Sequence, residues 1–308
     1  MTINEHATHF AGLPVADWEP ETALADPEGT AYRITLSYDE EETGAQWTDK
    51  LARFLEDPAV GRVTALVVGT WGEVATGDSS VRVVEALVAA RDQLPHLRAI
   101  FLGDITFEES EISWIQQSDV SPLFGAYPDL EHFRVRGGNG LSLGTPRHDQ
   151  LKSLIVESGG LDRSIVQQVC AAQLPALEHL ELWLGDENYG ATTRVEDLAP
   201  ILSGTIFPTL RYLGLRDSEI TDEIAAALGQ SPILERIRVL DLSLGTLGDE
   251  GAAALLANPA LRRLEKLDLH HHYCSDETMG RLQALGIDVD LSDHQDEDDG
   301  ERYVAVSE

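Results

Sequence analysis

Cysteines and long apolar runs are scarce in this sequence. The chain has two cysteines, Cys170 and Cys274, which are too few to build a disulfide framework. Both fall at apolar positions of the sequence pattern, so buried thiols are expected there. No stretch approaches the roughly 20 consecutive apolar residues that a membrane-spanning helix requires. The sequence therefore predicts no membrane-spanning segment.

Positive charge is also scarce. The 54 acidic residues outnumber the 22 lysines and arginines and give a formal net charge of -32. Such a surface repels nucleic-acid phosphates and anionic lipid headgroups, so neither nucleic acid nor a membrane is expected as a partner. Residues 1–6 have neither the basic start nor the apolar run of a secretory signal, and a cytoplasmic location is therefore expected.

The motifs of common enzyme classes are missing too. We find no phosphate-binding Gly-x-x-x-x-Gly-Lys-Ser/Thr segment, no Cys-x-x-Cys pair, and we identify no nucleophile elbow. The glycine-rich residues 137–140 resemble a phosphate loop only in glycine content, because the lysine is absent. The sequence therefore predicts a protein without enzymatic activity and without a cofactor.

What the sequence does contain is a recurring short frame, in which three apolar residues are separated by two variable residues and then by one. Successive copies begin 21 to 34 residues apart from residue 63 onward. The seven clearest copies are Leu97/Ile100/Leu102, Leu130/Phe133/Val135, Leu151/Leu154/Val156, Leu177/Leu180/Leu182, Leu210/Leu213/Leu215, Ile237/Leu240/Leu242 and Leu264/Leu267/Leu269. Weaker copies are Ala31/Ile34/Leu36 and Val63/Leu66/Val68, with a degenerate final one at Ile287/Val289/Leu291.

Each frame predicts a short strand, because its alternate apolar side chains fall on one face. Between the frames, apolar residues spaced three and four apart predict amphipathic helices. Thr221 and Ser275, each followed by two acidic residues, are predicted helix N-caps. The glycine-rich segment 137–150 is instead predicted to be a loop. Units that cannot bury their apolar faces alone must stack on one another.

The repeat resembles that of known leucine-rich-repeat proteins. The spacing near 27 and the run at residues 247–255 are similar to the long repeats of ribonuclease inhibitor. Residues 112–115 and 302–306 also resemble segments of a group of bacterial cytosolic leucine-rich-repeat proteins. The resemblance implies an α/β solenoid shaped as a horseshoe, with a parallel sheet on its concave face and helices on its convex face. It implies no particular activity.

The predicted boundaries follow from this resemblance and from composition. Residues 1–60 are expected to form an N-terminal cap with the first strand, and residues 61–292 the solenoid. Residues 293–308 are strongly acidic and are expected to be disordered and dispensable for folding. The position where asparagine commonly bridges neighbouring turns holds Gly185, Ser218, Gly245 and His272, which predicts irregular curvature.

Candidate binding residues occupy the variable strand positions that point into the predicted concave face. Six of them form the predicted partner site: Arg134, Arg136, His179, Trp183, Tyr212 and Arg216. Trp, Tyr and Arg are enriched at the centres of protein interfaces. Trp183 is either an exposed anchor or packed against an inner-face neighbour, and the sequence leaves both open. The arginines either hold an acidic peptide or, as the register favours, pair with Glu157, Glu181 and Asp241 on adjacent strands.

One alternative site is a metal cluster at Asp268, His270 and His272, where alternate residues fall on one strand face. The favoured interpretation is that Asp268 and His270 are ordinary inner-face residues and that His272 replaces the bridging asparagine. Trp114, in a long insertion between strands, is expected to be buried beneath that loop.

We therefore expect a metal-free monomer that binds a protein or peptide through its concave face. The alternatives are a metal-binding or cryptic enzyme that uses the Asp268/His270/His272 cluster, and a structural subunit of an assembly. A binding module predicts an exposed concave patch, an enzyme a closed pocket with converging titratable groups, and an assembly subunit a large apolar end face.

Overall fold

The computed structural model describes residues 3–75 and 77–307, so the expectations for residues 1, 2 and 308 lie outside the described part of the chain. Strands recur along the whole of that part. They are β1 (His9–Phe10), β2 (Leu13–Asp17), β3 (Ala31–Ile34), β4 (Ala65–Val68), β5 (Ala99–Leu102), β6 (His132–Arg136), β7 (Ser153–Glu157), β8 (His179–Gly185), β9 (Tyr212–Ser218), β10 (Val239–Asp241), β11 (Lys266–Asp268) and β12 (Asp288–Asp290).

The strands form one sheet whose order follows the sequence from β1 to β12. β1 and β2 form an antiparallel hairpin, and each later strand pairs in parallel with the one before it. The register aligns the central apolar residue of each frame, so that Leu180 pairs with Leu213 and Leu213 with Leu240. This in-register parallel stack confirms the predicted solenoid and its strands.

The connections between strands carry short helices. These are α1 (Tyr38–Glu42), α2 (Trp47–Phe54), α3 (Val81–Ala89), α4 (Ser121–Ala126), α5 (Arg163–Ala171), α6 (Ala199–Leu202), α7 (Thr221–Leu228), α8 (Asp249–Leu256) and α9 (Asp276–Gln283). The apolar side chains of the frames and the helices share one continuous core, in which residues such as Leu154 and Leu240 are fully buried. No described helix is long and apolar enough to cross a membrane.

Helix starts and turns depart from the sequence predictions in detail. Ser275 caps α9 by accepting the amide of Thr278, as predicted. The predicted cap at Thr221 is wrong, because Thr221 is already the first helical residue and its hydroxyl donates to Ser218 O (2.5 Å). That bond supplies a turn carbonyl with the partner that a bridging asparagine commonly provides. His272 likewise bonds a carbonyl oxygen, that of Leu291, through Nε2 at 3.1 Å, and its Nδ1 accepts the amide of Cys274 at 3.1 Å.

Two further segments test the predictions. The described residues between β6 and β7 contain no helix, which confirms the predicted loop over 137–150. The expected disorder of the tail is wrong for residues 302–307, because Val304 and Val306 are 8% and 4% exposed and pack on the solenoid. The alternating apolar residues Val304 and Val306 are buried against the solenoid, and the composition of the tail does not reveal this burial.

Candidate functional site

The first part of the concave face is a buried chain of ion pairs. Glu157 on β7 bonds the guanidinium groups of Arg134 and Arg136 on β6, with 2.7 Å from Arg136 Nε to Glu157 Oε2. Asp104, after β5, pairs with Arg33 Nη1 at 2.9 Å. Burial raises the pKa of Glu157, but the two arginines outweigh burial and hold it below its ordinary value. Glu157 therefore stays ionised, and the pairing across strands is structural.

A second cluster surrounds Glu181 on β8. This carboxylate accepts Trp183 Nε1 at 2.7 Å and Arg216 Nη1 at 2.8 Å. The Arg216 guanidinium also lies 4.9 Å from the Trp183 ring centroid, a cation–π contact. Burial raises the pKa of Glu181, whereas the hydrogen bond from His179 and the charge of Arg216 lower it further than burial raises it. The indole of Trp183 is thereby fixed in orientation.

Tyr212 completes this second cluster. Its hydroxyl donates to Asp241 Oδ2 at 2.6 Å, and its ring stacks on His179 with centroids 3.8 Å apart. Burial, followed by the charges of Glu181 and Asp241, raises the pKa of Tyr212 far above its ordinary value. The phenol is therefore a fixed hydrogen-bond donor and no acid at physiological pH.

Between the two clusters lies an open cavity of about 600 Å³. Its walls come from the strands β6 to β9 and from the N-terminal segment: Ile3, Asn4, Glu5, Arg134, Arg136, Ile155, Glu157, Glu181, Trp183 and Arg216. The N-terminal residues form one side, so that the chain's own start narrows the concave face. Four of the six predicted partner-site residues line this cavity, while His179 and Tyr212 do not line it and belong to the bonded cluster around Glu181.

Of the two alternatives for Trp183, the exposed anchor is wrong. Its side chain is only 5% exposed and packs with Ile3, Ile112, Leu244 and Val306. The alternative that it packs against inner-face neighbours is therefore the correct one, and both ends of the chain take part. This packing was invisible in the sequence because the partners lie between 61 and 180 residues away.

The predicted arginines are likewise already paired with the acidic residues of neighbouring strands. Arg134 and Arg136 face Glu157, and Arg216 faces Glu181 and Asp241. The cavity is thus close to neutral in a chain of strongly negative charge. An acidic peptide could bind the guanidinium groups only by replacing these ion pairs.

The residues that form the alternative metal cluster in the structure differ from those that the sequence predicted. The structure brings Asp268, His270 and Asp290 together, with candidate ligand atoms within 4.8 Å of one another. His272 is excluded from this group, because its Nε2 lies 3.1 Å from Leu291 O in the core. Asp268 is held by Lys266 Nζ at 2.8 Å and by His270 Nδ1 at 2.7 Å. A cation would compete with that ammonium, so the donor set fits a metal poorly.

One motif escaped the sequence analysis, and one expectation from it is wrong. The pattern Gly-x-Ser-x-Gly does occur, at residues 140–144, but no helix follows Ser142 within the described loop and its hydroxyl accepts the amide of Gly144. It is therefore no nucleophile elbow. Trp114 is 52% exposed, so its expected burial is wrong. Its 3-10 turn holds Ile112 inward and leaves the indole outside.

Comparison with known proteins gives a family and a fold. A leucine-rich-repeat family model matches residues 208–229 and 237–256. A crystal structure of a Bacteroides fragilis protein is 36% identical, with a TM-score of 0.80, and the match covers 86% of this chain and 75% of that one. An internalin from Listeria monocytogenes is 18% identical, with a TM-score of 0.38, covering 78% and 57%. No curated protein matches the chain.

The repeat frame, the in-register parallel sheet and the similarity to the Bacteroides fragilis protein agree with one another. The chain is a member of the leucine-rich-repeat family.

Proposed function

We propose that this protein is a non-enzymatic interaction module that holds a segment of a protein partner in the cavity on its concave face. The supporting observation is the cavity itself, which is open to solvent and combines an aromatic wall, aliphatic surface and fixed polar groups. Binding sites in proteins commonly have this composition. The module works as a cytoplasmic monomer of the ribonuclease-inhibitor-like bacterial type and uses no cofactor, nucleic acid or membrane.

The chemistry of the cavity argues against catalysis. Two of its three carboxylates, Glu157 and Glu181, are held ionised by arginines and are engaged in hydrogen bonds. A general base needs a pKa near the working pH, which these two groups lack. The two cysteines are unsuitable as nucleophiles, because burial raises the pKa of Cys170 to about 11 and that of Cys274 to about 12.

The cavity also indicates what kind of segment it takes. Arg134 and Arg216 are partly exposed but charge-compensated, and Ile155 and Trp183 supply apolar surface beside them. A segment of low net charge, with backbone groups to bond and one apolar side chain to bury, satisfies these walls without breaking an ion pair. A highly acidic segment does not.

The test is affinity capture from native lysate, followed by mass spectrometry, with a variant that places a charge in the cavity. Ile155→Glu adds a carboxylate to the cavity without removing a member of either ion-paired cluster. Val81→Glu makes a comparable change at the exposed start of α3, outside the cavity. We expect Ile155→Glu to lower the amount of captured partner at least about tenfold and Val81→Glu to leave it unchanged, since a bound apolar segment would bury an additional carboxylate beside Glu181.

Both variants are first compared with the wild type by circular dichroism and thermal unfolding. If Ile155→Glu folds and still captures the same protein at the wild-type level, the cavity is not the binding site. Loss of capture with Val81→Glu alone would place the partner on the helical face.

A further inference from the structure

Residues 302–307, the last that the structure describes, lie across the turns that follow the strands, and we call them the C-terminal strap. The amide of Ala305 donates to the carbonyl oxygen of Leu244 at 2.8 Å. The amide of Val306 donates to Asp217 Oδ1 at 2.9 Å. Both bonds come from the strap backbone, which is the way an extended peptide is commonly held at the edge of a sheet.

Two side chains give the strap its specific contacts. Arg302 Nη1 pairs with Asp222 Oδ2 at 3.0 Å near the start of α7. Four positions further along, Val306 is 4% exposed and enters an apolar cluster with Trp183 and Leu244. The groove therefore recognises a basic side chain and a β-branched apolar side chain four residues apart, with backbone amides between them.

The strap is joined to the solenoid by an acidic tether, residues 293–301. Six of its nine residues are Asp or Glu. Some of its hydrogen bonds are internal, as between Asp298 and Glu301, and two bonds reach back to the solenoid, from the amide of Gln295 to His272 O and between His271 Nδ1 and Asp293 Oδ2. The strap belongs to none of the described sheet strands, so it can leave the groove without breaking a strand pair.

The groove is incompletely satisfied while the strap occupies it. Asp217 is fully buried, and its Oδ2 has no hydrogen-bond partner among the described residues. A buried polar atom without a partner destabilises the state that contains it. Leu244, whose carbonyl oxygen receives Ala305, has a positive φ of 67°. Asp217 and His271, 27 residues before and after Leu244, have the same left-handed conformation, so a recurring turn of the repeat presents this carbonyl oxygen to the strap.

We propose that this groove binds an extended segment of a partner protein that carries a basic residue and, four positions later, a β-branched apolar residue. The C-terminal strap is the resident occupant that the partner displaces. The partner segment supplies what the strap lacks, a hydrogen-bond partner for Asp217 Oδ2. The proposal rests on the proposed function only for the existence of a protein partner. The groove adjoins the cavity around Ile155 through Trp183, but the groups that hold the strap backbone and Arg302, namely Leu244, Asp217 and Asp222, do not line that cavity.

The experiment uses the full chain and a fluorescently labelled synthetic peptide with the sequence of residues 301–308. Val306→Asp in the chain places a carboxylate in the apolar cluster and unseats its own strap. We expect this variant to bind the peptide at least about tenfold more tightly than the wild type, whose tethered strap competes at an effective concentration of the order of millimolar. Anisotropy titration measures both affinities.

Three controls accompany this measurement. Gln295→Glu adds the same charge in the tether, outside the groove, and is expected to bind the peptide as weakly as the wild type. A peptide carrying the changes Arg302→Glu and Val306→Asp is expected not to bind the Val306→Asp chain. The chain with both Ile155→Glu and Val306→Asp is expected to bind the unmodified peptide normally, which separates failure of this proposal from failure of the cavity proposal.

Several results would overturn the proposal. The first is that the folded Val306→Asp chain does not bind the peptide. The second is that the wild type binds the peptide as tightly as the Val306→Asp chain does. The third is that the Val306→Asp chain binds the doubly changed peptide as tightly as the unmodified one. Formation of a dimer that exchanges straps would assign the groove to a second copy of the chain instead. If Val306→Asp does not fold, hydrogen exchange of the wild type decides. If the amides of residues 303–306 exchange well before those of β9, the strap is displaceable. If they exchange only when the whole protein unfolds, the proposal is refuted.

Discussion

At the scale of single residues, the concave face shows that exposure depends on partners that lie far away in the chain. Trp183 occupies a variable strand position, yet Ile3 and Val306 cover it from opposite ends of the sequence. Trp114 lies in a loop with an apolar residue on each side of its turn, yet its indole is half exposed. Trp183 is therefore packed, which is one of the two possibilities that its sequence position left open, and Trp114 is exposed where burial was expected.

The difference in burial between Trp183 and Trp114 predicts different effects on stability when each side chain is truncated to alanine. Trp183→Ala is expected to lower the free energy of unfolding by about 3–5 kcal/mol, because it removes a large buried ring and the donor to Glu181. Trp114→Ala is expected to change it by less than about 0.5 kcal/mol. Urea unfolding monitored by circular dichroism measures both. Equal effects of the two substitutions would contradict the packing described for Trp183.

At the scale of elements, neighbouring repeats are fitted together at the turns that follow the strands. Gly185, at the end of β8, has a φ of +74°, and a Cβ added to it would overlap the carbonyl group of Gly159. The turn after β7 and the end of β8 also form an isolated bridge between Gly160 and Gly185. The close approach of the two repeats therefore requires glycine at this position.

Alanine at this position should consequently be costly. Gly185→Ala is expected to destabilise the protein by more than about 3 kcal/mol, since the overlap with fixed backbone adds to the strain of positive φ. Gly12→Ala provides the matched control, because Gly12 also has positive φ, +78°, but nothing lies near its added Cβ. The control is expected to cost only about 1–2 kcal/mol. Thermal unfolding compares the two, and a smaller effect at Gly185 would refute the close packing of these turns.

At the scale of the whole molecule, a chain of net charge -32 keeps its concave face nearly neutral by pairing buried carboxylates with arginines. Glu157 and Glu181 both have a pKa below their ordinary value near 4.5. A carboxyl group whose pKa falls on folding stabilises the native state above the unfolded-state pKa. That contribution is lost as the pH falls toward the folded-state value.

The pH dependence of stability should reveal this contribution. Between pH 5 and pH 3 the wild type is expected to lose stability, and Glu181→Gln is expected to lose about 2 kcal/mol less over the same window. The variant is less stable than the wild type at pH 7, because Arg216 loses its charged partner, so the change with pH is the decisive quantity. Urea midpoints measured at several pH values test it. An identical slope for both proteins would show that Glu181 is not stabilised as an ion.

The sequence by itself determined the repeat, the strands and their order. A local alternation of apolar residues can be buried only by stacking identical units, and Leu180, Leu213 and Leu240 therefore fall into one column. It also placed Arg134, Arg216 and their acidic neighbours on one face, because strand register fixes which side chains are adjacent.

Only the tertiary structure decided what covers that face. The burial of Trp183, the cavity behind residues 3–5 and the seating of Val306 against Asp217 depend on the two chain ends, which carry no repeat. Their positions result from long-range contacts with turns on distant strands, and no local period encodes such contacts. The composition of the tail predicted disorder because it counts charges along the chain, whereas a few apolar residues meeting a preformed groove are enough to order its end.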